Sequence, residues 1–269
     1  MIGAAPSPPS HDVTATAPTP MIELRGVRKE FPGPTGTPVV AVDGVSLRVA
    51  AGELLCLIGT SGCGKTTTMK MINRLVEPSD GEIRVDGRDI RERDPTVLRR
   101  GIGYVIQKGG LFPHLSVAGN VGLLCRLEGW ERARIEARVA ELLQLVNLAQ
   151  ELATRYPREL SGGQRQRVGV ARALALDPPL VLMDEPFGAL DPITRRQLHA
   201  ELRQLQDRVG KTIVLVTHDL GEAFALGDRV ALMDRGRIVQ LGTEADFRER
   251  PATPFVEEFV REHVRGSGA

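Results

Sequence analysis

An apolar run that ends in a glycine-rich loop constrains the fold of this chain more than any other feature of its sequence. The run is Leu54–Ile58, and the loop after it reads Gly-Thr-Ser-Gly-Cys-Gly-Lys-Thr from Gly59 to Thr66. A short, continuously apolar segment that ends in glycine is typical of a strand buried on both faces of a parallel sheet. We predict a helix directly after it, over Lys65–Arg74, so that the glycines lie in a strand-to-helix turn.

The loop fits the G-x-x-x-x-G-K-[ST] pattern that binds nucleotide phosphates. Glycines let backbone N–H groups turn toward an anion, and the start of the next helix adds its positive dipole end. We expect Lys65 to reach the β- and γ-phosphates of ATP and the Thr66 hydroxyl to bind Mg²⁺. A chance match is the alternative, and the strand-to-helix setting argues against it. The loop residues predicted to contact nucleotide are Gly59, Thr60, Ser61, Gly62, Cys63, Gly64, Lys65, Thr66 and Thr67.

Two later apolar runs also end in polar residues. Leu180–Met183 is followed by Asp184 and Glu185, and Thr212–Thr217 is followed by His218. Ligands bind at the carboxyl ends of parallel strands, and neighbouring strand residues point to opposite faces. We therefore expect Asp184 to hold Mg²⁺, Glu185 to orient or deprotonate the attacking water, and His218 to act at the γ-phosphate. The alternatives are a polar loop start for the two carboxylates and an ordinary surface or core position for the histidine.

Composition divides the rest of the chain. Residues 1–20 have almost no large apolar side chain and predict a disordered leader. The β-rich segments Ile22–Val27 and Val39–Val49 predict an antiparallel sheet at the start of a nucleotide-binding domain that we place at 21–250. Helical spacing of apolar residues from 135 to 146 predicts a helical subdomain, at about 108–165, inserted in the α/β core. Residues 251–269 are expected to form a C-terminal helix or tail that packs on the core.

Charge and cysteine content exclude several classes of protein. The 35 basic and 34 acidic residues nearly cancel, so no extended positive field marks a nucleic-acid binder. The sequence has neither a signal peptide nor a run of about 18 apolar residues, and we expect it to stay in the cytoplasm. Its three cysteines lack the spacing of zinc ligands or of a disulfide framework. Cys63 is expected to fill space rather than to act as a redox switch.

The segment Leu-Ser-Gly-Gly-Gln at residues 160–164 narrows the class of nucleotide-binding protein. It resembles the signature of ATP-binding-cassette (ABC) proteins. A plain helix N-cap is the alternative, because Ser161 and Gln164 have capping-box spacing, although the glycine pair also opens backbone N–H groups to an anion. The resemblance implies that the segment contacts ATP held by the phosphate loop of a second cassette, so that each site needs two chains. The residues concerned are Ser161, Gly162, Gly163 and Gln164.

Other ABC motifs follow in order, from about residue 21 to residue 242, and none is broken. Gln107 matches the Q-loop, which links the metal site to the helical subdomain and touches the transmembrane partner. Ala189–Asp191 matches the D-loop at the dimer seam, His218 the switch histidine, and Phe31 the aromatic residue that stacks on adenine. The resemblance implies an active ATPase that uses ATP and Mg²⁺. The residues predicted to act in hydrolysis are Lys65, Gln107, Glu185 and His218, those at the metal are Thr66, Gln107 and Asp184, and Asp191 is predicted at the shared nucleotide site.

The expected fold is therefore α/β, that of a P-loop NTPase of the ABC ATPase type. It has a RecA-like parallel-sheet core, an N-terminal antiparallel β subdomain and an inserted α-helical subdomain. Residues 69–78 (MKMINRLVEP), residues 100–114 (RGIGYVIQKGGLFPH) and Leu127–Trp130 further resemble ATPases of importers for glycine betaine, choline or carnitine. Several of those relatives carry CBS modules after the cassette. This sequence ends at Ala269, so we expect no ionic-strength sensing through such modules.

That resemblance implies a motor subunit on the cytoplasmic face of the membrane. It would work as a homodimer or with a paired cassette, and it would drive transmembrane permease subunits. An extracytoplasmic solute-binding protein would deliver the solute to those subunits. Three alternatives are an importer ATPase for another solute, such as an amino acid or a polyamine, a cassette protein of translation or DNA repair, and a binding module without catalysis. The last two fit less well, because the chain has no second cassette and retains Lys65, Glu185 and His218. The exact solute, the identity of the paired cassette, the regulation and the direction of transport stay open.

Overall fold

Two sheets and ten α-helices form the part of the chain that the computed structural model describes, which is residues 19–33, 36–106, 110–188 and 190–265. The strands are β1 (Ile22–Phe31), β2 (Val39–Val49), β3 (Leu54–Gly59), β4 (Asp80–Val85), β5 (Arg88–Asp89), β6 (Ile102–Val105), β7 (Leu180–Asp184), β8 (Thr212–Val216), β9 (Arg229–Asp234) and β10 (Arg237–Gly242). The helices are α1 (Lys65–Ile72), α2 (Pro95–Arg100), α3 (Val117–Val121), α4 (Leu123–Leu127), α5 (Arg132–Leu145), α6 (Gly162–Ala173), α7 (Pro192–Val209), α8 (Leu220–Leu226), α9 (Glu244–Glu249) and α10 (Pro254–Arg265). Most of the predicted leader lies outside the described residues.

The larger sheet has six strands in the order β10-β9-β3-β8-β7-β6. Pairing is parallel from β9 to β6, and β10 is antiparallel to β9, with which it forms a hairpin. The six residues of β3 are all buried, and its side chains alternate between the two hydrophobic clusters on either side of the sheet. This burial on both faces is what its uninterrupted apolar sequence predicts. The predicted parallel-sheet core is confirmed.

The smaller sheet is antiparallel, with the order β2-β1-β4-β5. Strand β1 continues to Phe31, past the predicted end at Val27, because shifts in register let it remain paired with β2 as far as Val39. One side of this sheet shares a hydrophobic cluster with α1 and with one face of the larger sheet. The cluster therefore fixes the position of α1, and with it the glycine loop, against both sheets.

Helices α3 to α6 follow β6 in the chain and pack on the opposite face of the larger sheet. In α5, Val139, Leu142 and Leu143 are buried, as the helical spacing predicts. They share a hydrophobic cluster with Val168 of α6. The same cluster holds the C-terminal helices, through Phe247 of α9 and residues of α10. Among the described residues, no helix combines the length and the apolar composition needed to cross a membrane.

Candidate functional site

The loop between β3 and α1 is packed so tightly that two of its positions accept only glycine. Gly59 and Gly64 have φ values of 142° and 105°, which residues with a side chain rarely adopt. A Cβ atom on Gly59 would lie 2.1 Å from the carbonyl oxygen of Met233, and one on Gly64 would lie 2.4 Å from that of Ala41. The loop is thus held between β9 and β2. Its contact with Ala41 was not predicted, because a backbone carbonyl from another sheet leaves no signal in the sequence.

Lys65 lies inside the curve of this loop. Its side chain is buried, and Nζ donates hydrogen bonds of 2.7 and 2.9 Å to the carbonyl oxygens of Gly59 and Thr60. No acidic residue lies in the first turn of α1, so the positive end of the helix dipole is not neutralised locally. The loop therefore presents an ammonium group, a helix N-terminus and glycine backbone to an anion, which is the chemistry that binds phosphate.

Thr66 and Asp184 form a pair of oxygen ligands beside the loop. The Thr66 hydroxyl donates a hydrogen bond of 3.0 Å to Oδ1 of Asp184. Burial raises the pKa of the Asp184 carboxyl above its ordinary value, and the hydrogen bond from Thr66 opposes this rise. In the described part of the chain, no group of three or more His, Cys, Asp or Glu side chains is placed to hold a metal ion. The pair fits Mg²⁺, which takes one or two protein oxygens together with phosphate and water.

Glu185 and His218 face each other where β7 and β8 end. Glu185 has a φ of 43°, in the left-handed region, and its backbone N–H donates a hydrogen bond of 2.9 Å to the carbonyl oxygen of Val216. Its Oε1 lies 3.6 Å from Nδ1 of His218. The extra backbone bond ties the turn after β7 to the strand that leads to His218. The two side chains can therefore act on the same small molecule, one as an acceptor and one as a donor.

A cavity of about 310 Å³ joins these groups. It is lined by Ala41, Ser61, Gly62, Cys63, Gly64, Lys65, Thr66, Thr67, Glu185 and His218. Gly59 and Thr60 line an adjoining cavity of about 480 Å³, together with His218 and side chains of α10. The structure thus brings the loop, the strand-end glutamate and the histidine together, although they are far apart in the sequence.

The Ser-Gly-Gly-Gln segment lies elsewhere in the chain. Ser161 caps α6: its Oγ accepts a hydrogen bond of 3.2 Å from the Gln164 N–H, and Gln164 Oε1 accepts one of 2.9 Å from the Ser161 N–H. A Cβ atom on Gly163 would lie 2.9 Å from the methyl carbon of Thr194. Of the described residues that line the cavity, none belongs to this segment. Within one chain, capping and close packing account for these residue types.

The remaining predicted residues fall at three places. Asp191 caps α7 by accepting hydrogen bonds from the N–H groups of Ile193 and Thr194, and its hydrogen bonds with Thr194 lower its carboxyl pKa. Phe31 is 37% exposed at the end of β1, with Nζ of Lys29 5.0 Å from the ring centroid. Gln107 and Ala189 lie outside the described residues.

Comparison with known proteins gives consistent matches. Residues 42–188 match the ABC transporter family. The chain is 54% identical to the choline transport ATP-binding protein OpuBA of Bacillus subtilis, over 89% of the chain and 62% of that protein. It is 52% identical to the glycine betaine uptake system ATP-binding protein YehX of Escherichia coli, over 89% of the chain and 76% of that protein. The dimeric cassette MJ0796, solved in a post-hydrolysis state with ADP and phosphate, superposes with a TM-score of 0.75 at 33% identity, over 83% of this chain and 98% of that one.

Proposed function

Because the chain belongs to the ABC transporter family, we propose that it is the ATP-hydrolysing subunit of an importer for a quaternary-amine osmoprotectant. The proposal of ATPase activity rests on the cavity that the phosphate loop shares with Glu185 and His218. The proposed substrate class is glycine betaine, choline or carnitine; the two relatives, a choline transport protein and a glycine betaine uptake protein, support its first two members. The chain spans about 62% of the length of the first of them.

Nucleotide binding would begin at the loop. Lys65 exchanges its bonds with the loop carbonyls for the β- and γ-phosphates, and the backbone N–H groups of residues 59–67 receive the other phosphate oxygens. Phe31, exposed at the end of β1, stacks on the adenine ring. Thr66 and Asp184 would hold Mg²⁺, which would neutralise charge on the phosphate oxygens. The role proposed for Gln107 is to join this metal site to the membrane partner.

Hydrolysis would depend on the two strand-end residues. The carboxylate of Glu185 orients the attacking water and accepts its proton, and His218 holds that carboxylate and reaches the γ-phosphate. Their separation of 3.6 Å exceeds a good hydrogen bond, and catalytic contacts of this kind tighten when substrate binds. Positioning and charge stabilisation supply most of the rate in phosphoryl transfer.

A second cassette would complete the site. The Ser161 segment does not line the cavity of its own chain, so its anion-binding role requires the ATP of a partner. Asp191 would lie at the seam between the two cassettes. The solved dimer of a related cassette supports such an arrangement. The partner is a second copy of this chain or a paired cassette.

The remaining partners follow from the importer assignment. Transmembrane permease subunits would receive the motion of the cassettes, and an extracytoplasmic solute-binding protein would deliver solute to the permease. The chain would then lie on the cytoplasmic face of the membrane as a peripheral subunit.

Uptake by cells tests this proposal. Labelled glycine betaine, choline, spermidine and an amino acid are supplied at high osmolarity to cells with the chain, without it, with Lys65→Ala, and with Lys211→Ala as a matched control outside the cavity. We expect betaine or choline uptake to be lost without the chain and with Lys65→Ala only. Loss of spermidine or amino acid uptake instead would assign the chain to a different substrate class. Unchanged uptake of every solute would reject the proposal that the chain belongs to an importer.

A further inference from the structure

A buried carboxylate lies behind the turn that carries His218. Glu222 belongs to α8 and is 6% exposed, and its Oε2 accepts a hydrogen bond of 2.7 Å from the hydroxyl of Thr217. The same hydroxyl oxygen accepts a hydrogen bond of 3.0 Å from the backbone N–H of Asp219. Thr217 therefore spans His218, and it links the backbone after this residue to the side chain of Glu222.

The other carboxylate oxygen of Glu222 faces a histidine of the neighbouring helix. Nε2 of His199, on α7, lies 3.4 Å from Oε1 of Glu222. Within the described part of the chain, neither of these two buried atoms forms a hydrogen bond. A carboxylate oxygen accepts hydrogen bonds, so a hydrogen bond across this contact would use an N–H at Nε2. A buried carboxylate oxygen without a donor is unfavourable. His199 is the side chain that lies against Oε1, while the Thr217 hydroxyl donates to Oε2.

The ring of His199 also reaches the turn that carries Glu185. It meets the ring of Phe187 edge-on, with the centroids 4.8 Å apart and an interplanar angle of 70°. Phe187 is buried and follows Glu185 by two positions, and the Gly188 N–H donates to the Glu185 carbonyl oxygen at 3.3 Å. His199 therefore contacts Glu222, behind the turn of His218, and Phe187, in the turn of Glu185. Glu185 and His218 themselves face each other in the cavity.

The placement of His218 needs such support. Its side chain is 61% exposed, and its 3.6 Å contact with Glu185 is too long for a firm hydrogen bond. The backbone of the turn must therefore set the position of the ring. A misplacement of about 1 Å in a reacting group can lower a rate by about 100-fold. Replacing both partners of a buried polar contact with apolar groups of similar shape often costs little stability, so stability alone does not account for the His199–Glu222 pair.

We infer that His199 and Glu222 are positioning residues that hold the turn of His218 at its working distance from Glu185. The inference rests on the proposed roles of Glu185 and His218 in hydrolysis. Glu222 holds the turn after β8 through Thr217, and His199 connects Glu222 to the turn after β7. Neither residue lines the cavity of the phosphate loop, so the pair acts on turnover rather than on ATP binding.

The first test measures kcat and KM for ATP in the full chain. Glu222→Leu removes the acceptor of the Thr217 hydroxyl and is expected to lower kcat by about tenfold or more, with KM near its wild-type value. His199→Leu should act in the same direction. Glu222→Gln keeps an oxygen for Thr217, and His199→Gln keeps an N–H for Glu222. The two glutamine variants should therefore retain more of the wild-type kcat than the leucine variants.

Gln206→Leu is the matched control. Gln206 is a buried residue of α7, the helix that also carries His199, and its amide donates a hydrogen bond of 2.6 Å to the carbonyl oxygen of Gly52, away from the two turns. Its loss removes a buried polar contact of similar kind and should leave kcat unchanged. A tenfold fall in kcat for this control would show that any disturbance of α7 slows hydrolysis, and would overturn the inference.

A double-mutant cycle with His218→Ala separates positioning from a general loss of structure. If Glu222 acts through His218, Glu222→Leu lowers the single-turnover rate in the wild-type background and has no further effect in His218→Ala. An equal fall in the single-turnover rate in both backgrounds would show that Glu222 has only a structural role. The ¹⁵N spectrum of the five histidine rings gives a second readout. Glu222→Leu and Glu222→Gln should shift the resonance that disappears in His218→Ala, and Gln206→Leu should not.

The outcomes separate the inference from the proposed function. Wild-type turnover in His218→Ala would refute the proposed site itself. Lost turnover in His218→Ala, with wild-type turnover in the variants of His199 and Glu222, would overturn the inference alone. If a leucine variant does not fold, Glu222→Gln decides: an unchanged His218 resonance in this variant would overturn the inference.

Discussion

Glu185, the carboxylate proposed to act in hydrolysis, depends on a backbone conformation that the surrounding structure holds in place. Glu185 has a positive φ of 43°, a conformation that costs about 1 kcal/mol or more for a residue with a side chain. Pairing of its N–H with Val216 holds it there. Two adjacent carboxylates therefore contact different side chains: Asp184 contacts Thr66, whereas Glu185 contacts His218.

Replacing Glu185 with glutamine tests its proposed role. Glu185→Gln keeps the shape of the side chain but cannot accept a proton from water, so we expect ATP binding to persist and turnover to fall by about 10²- to 10⁴-fold. Binding of a fluorescent ATP analogue and release of phosphate measure the two steps. Glu249→Gln, an exposed change in α9, is the control. Undiminished phosphate release from Glu185→Gln would exclude a catalytic carboxylate at this position.

The thiol of Cys63 should be slow to react in the folded chain. Burial raises its pKa above the ordinary thiol value, although Lys65 opposes the rise. Because a raised pKa keeps the proton on sulfur, the reactive thiolate is scarce at neutral pH and increases only as the pH rises past the shifted value. Alkylation by iodoacetamide, resolved by mass spectrometry, should follow a pH profile displaced upward from that of a peptide of residues 59–67. Coincident profiles would contradict the prediction.

At the scale of secondary-structure elements, the N-terminus of α6 has two physical explanations. The capping box between Ser161 and Gln164 accounts for the polar residues, and close approach to Thr194 accounts for Gly163. Neither excludes an anion from a second chain, because a capped helix still carries the positive end of its dipole. A substitution that preserves the cap and repels an anion can distinguish a capping role from an anion-binding role.

Ser161→Asp is such a substitution. Aspartate caps a helix about as well as serine, so the thermal midpoint without nucleotide should stay near the wild-type value. Its negative charge would repel the triphosphate of a partner, so ATP-driven dimerisation should be lost. Light scattering with size-exclusion chromatography measures the dimer, in a Glu185→Gln background that is expected to retain ATP. A dimer as stable as that of the Glu185→Gln parent would show that the Ser161 segment acts only as a helix cap. Ser161→Asn, which caps without a charge, is the control.

At the scale of the whole molecule, the C-terminal helices belong to the main core rather than to its surface. Phe247 is 1% exposed and meets Phe224 edge-on, with the ring centroids 5.9 Å apart. It lies in the same hydrophobic cluster as residues of β3, β7 and α6. Damage at this position should therefore lower the stability of the whole cassette.

Phe247→Ala is expected to lower the free energy of unfolding by about 3–5 kcal/mol, because it removes a buried ring and leaves a cavity. Chemical denaturation followed by circular dichroism measures the change, and one cooperative transition is expected. Leu127→Ala, at a side chain 67% exposed, should change stability by about 0.5 kcal/mol or less. A separate early transition in Phe247→Ala would show that the C-terminal helices unfold on their own.

The sequence by itself determined those features whose causes are local or periodic. The continuous apolar run of β3 predicted a strand buried on both faces, and the glycine loop predicted the strand-to-helix turn, because each pattern reflects hydrogen bonding and burial within a few residues. The spacing of Ser161 and Gln164 specified a capping box for the same reason. The parallel core is confirmed, whereas the roles of the individual site residues stay predictions.

Only the tertiary structure decided what depends on contacts between distant segments. It placed the carbonyl oxygen of Ala41 where Gly64 must lack a Cβ atom, extended β1 to Phe31 through shifts in register, and set Glu185 at a positive φ. It also brought His199 of one helix to Glu222 of another. No local pattern reports such pairs, since the free energy of each depends on packing between elements whose relative positions are set by the whole fold.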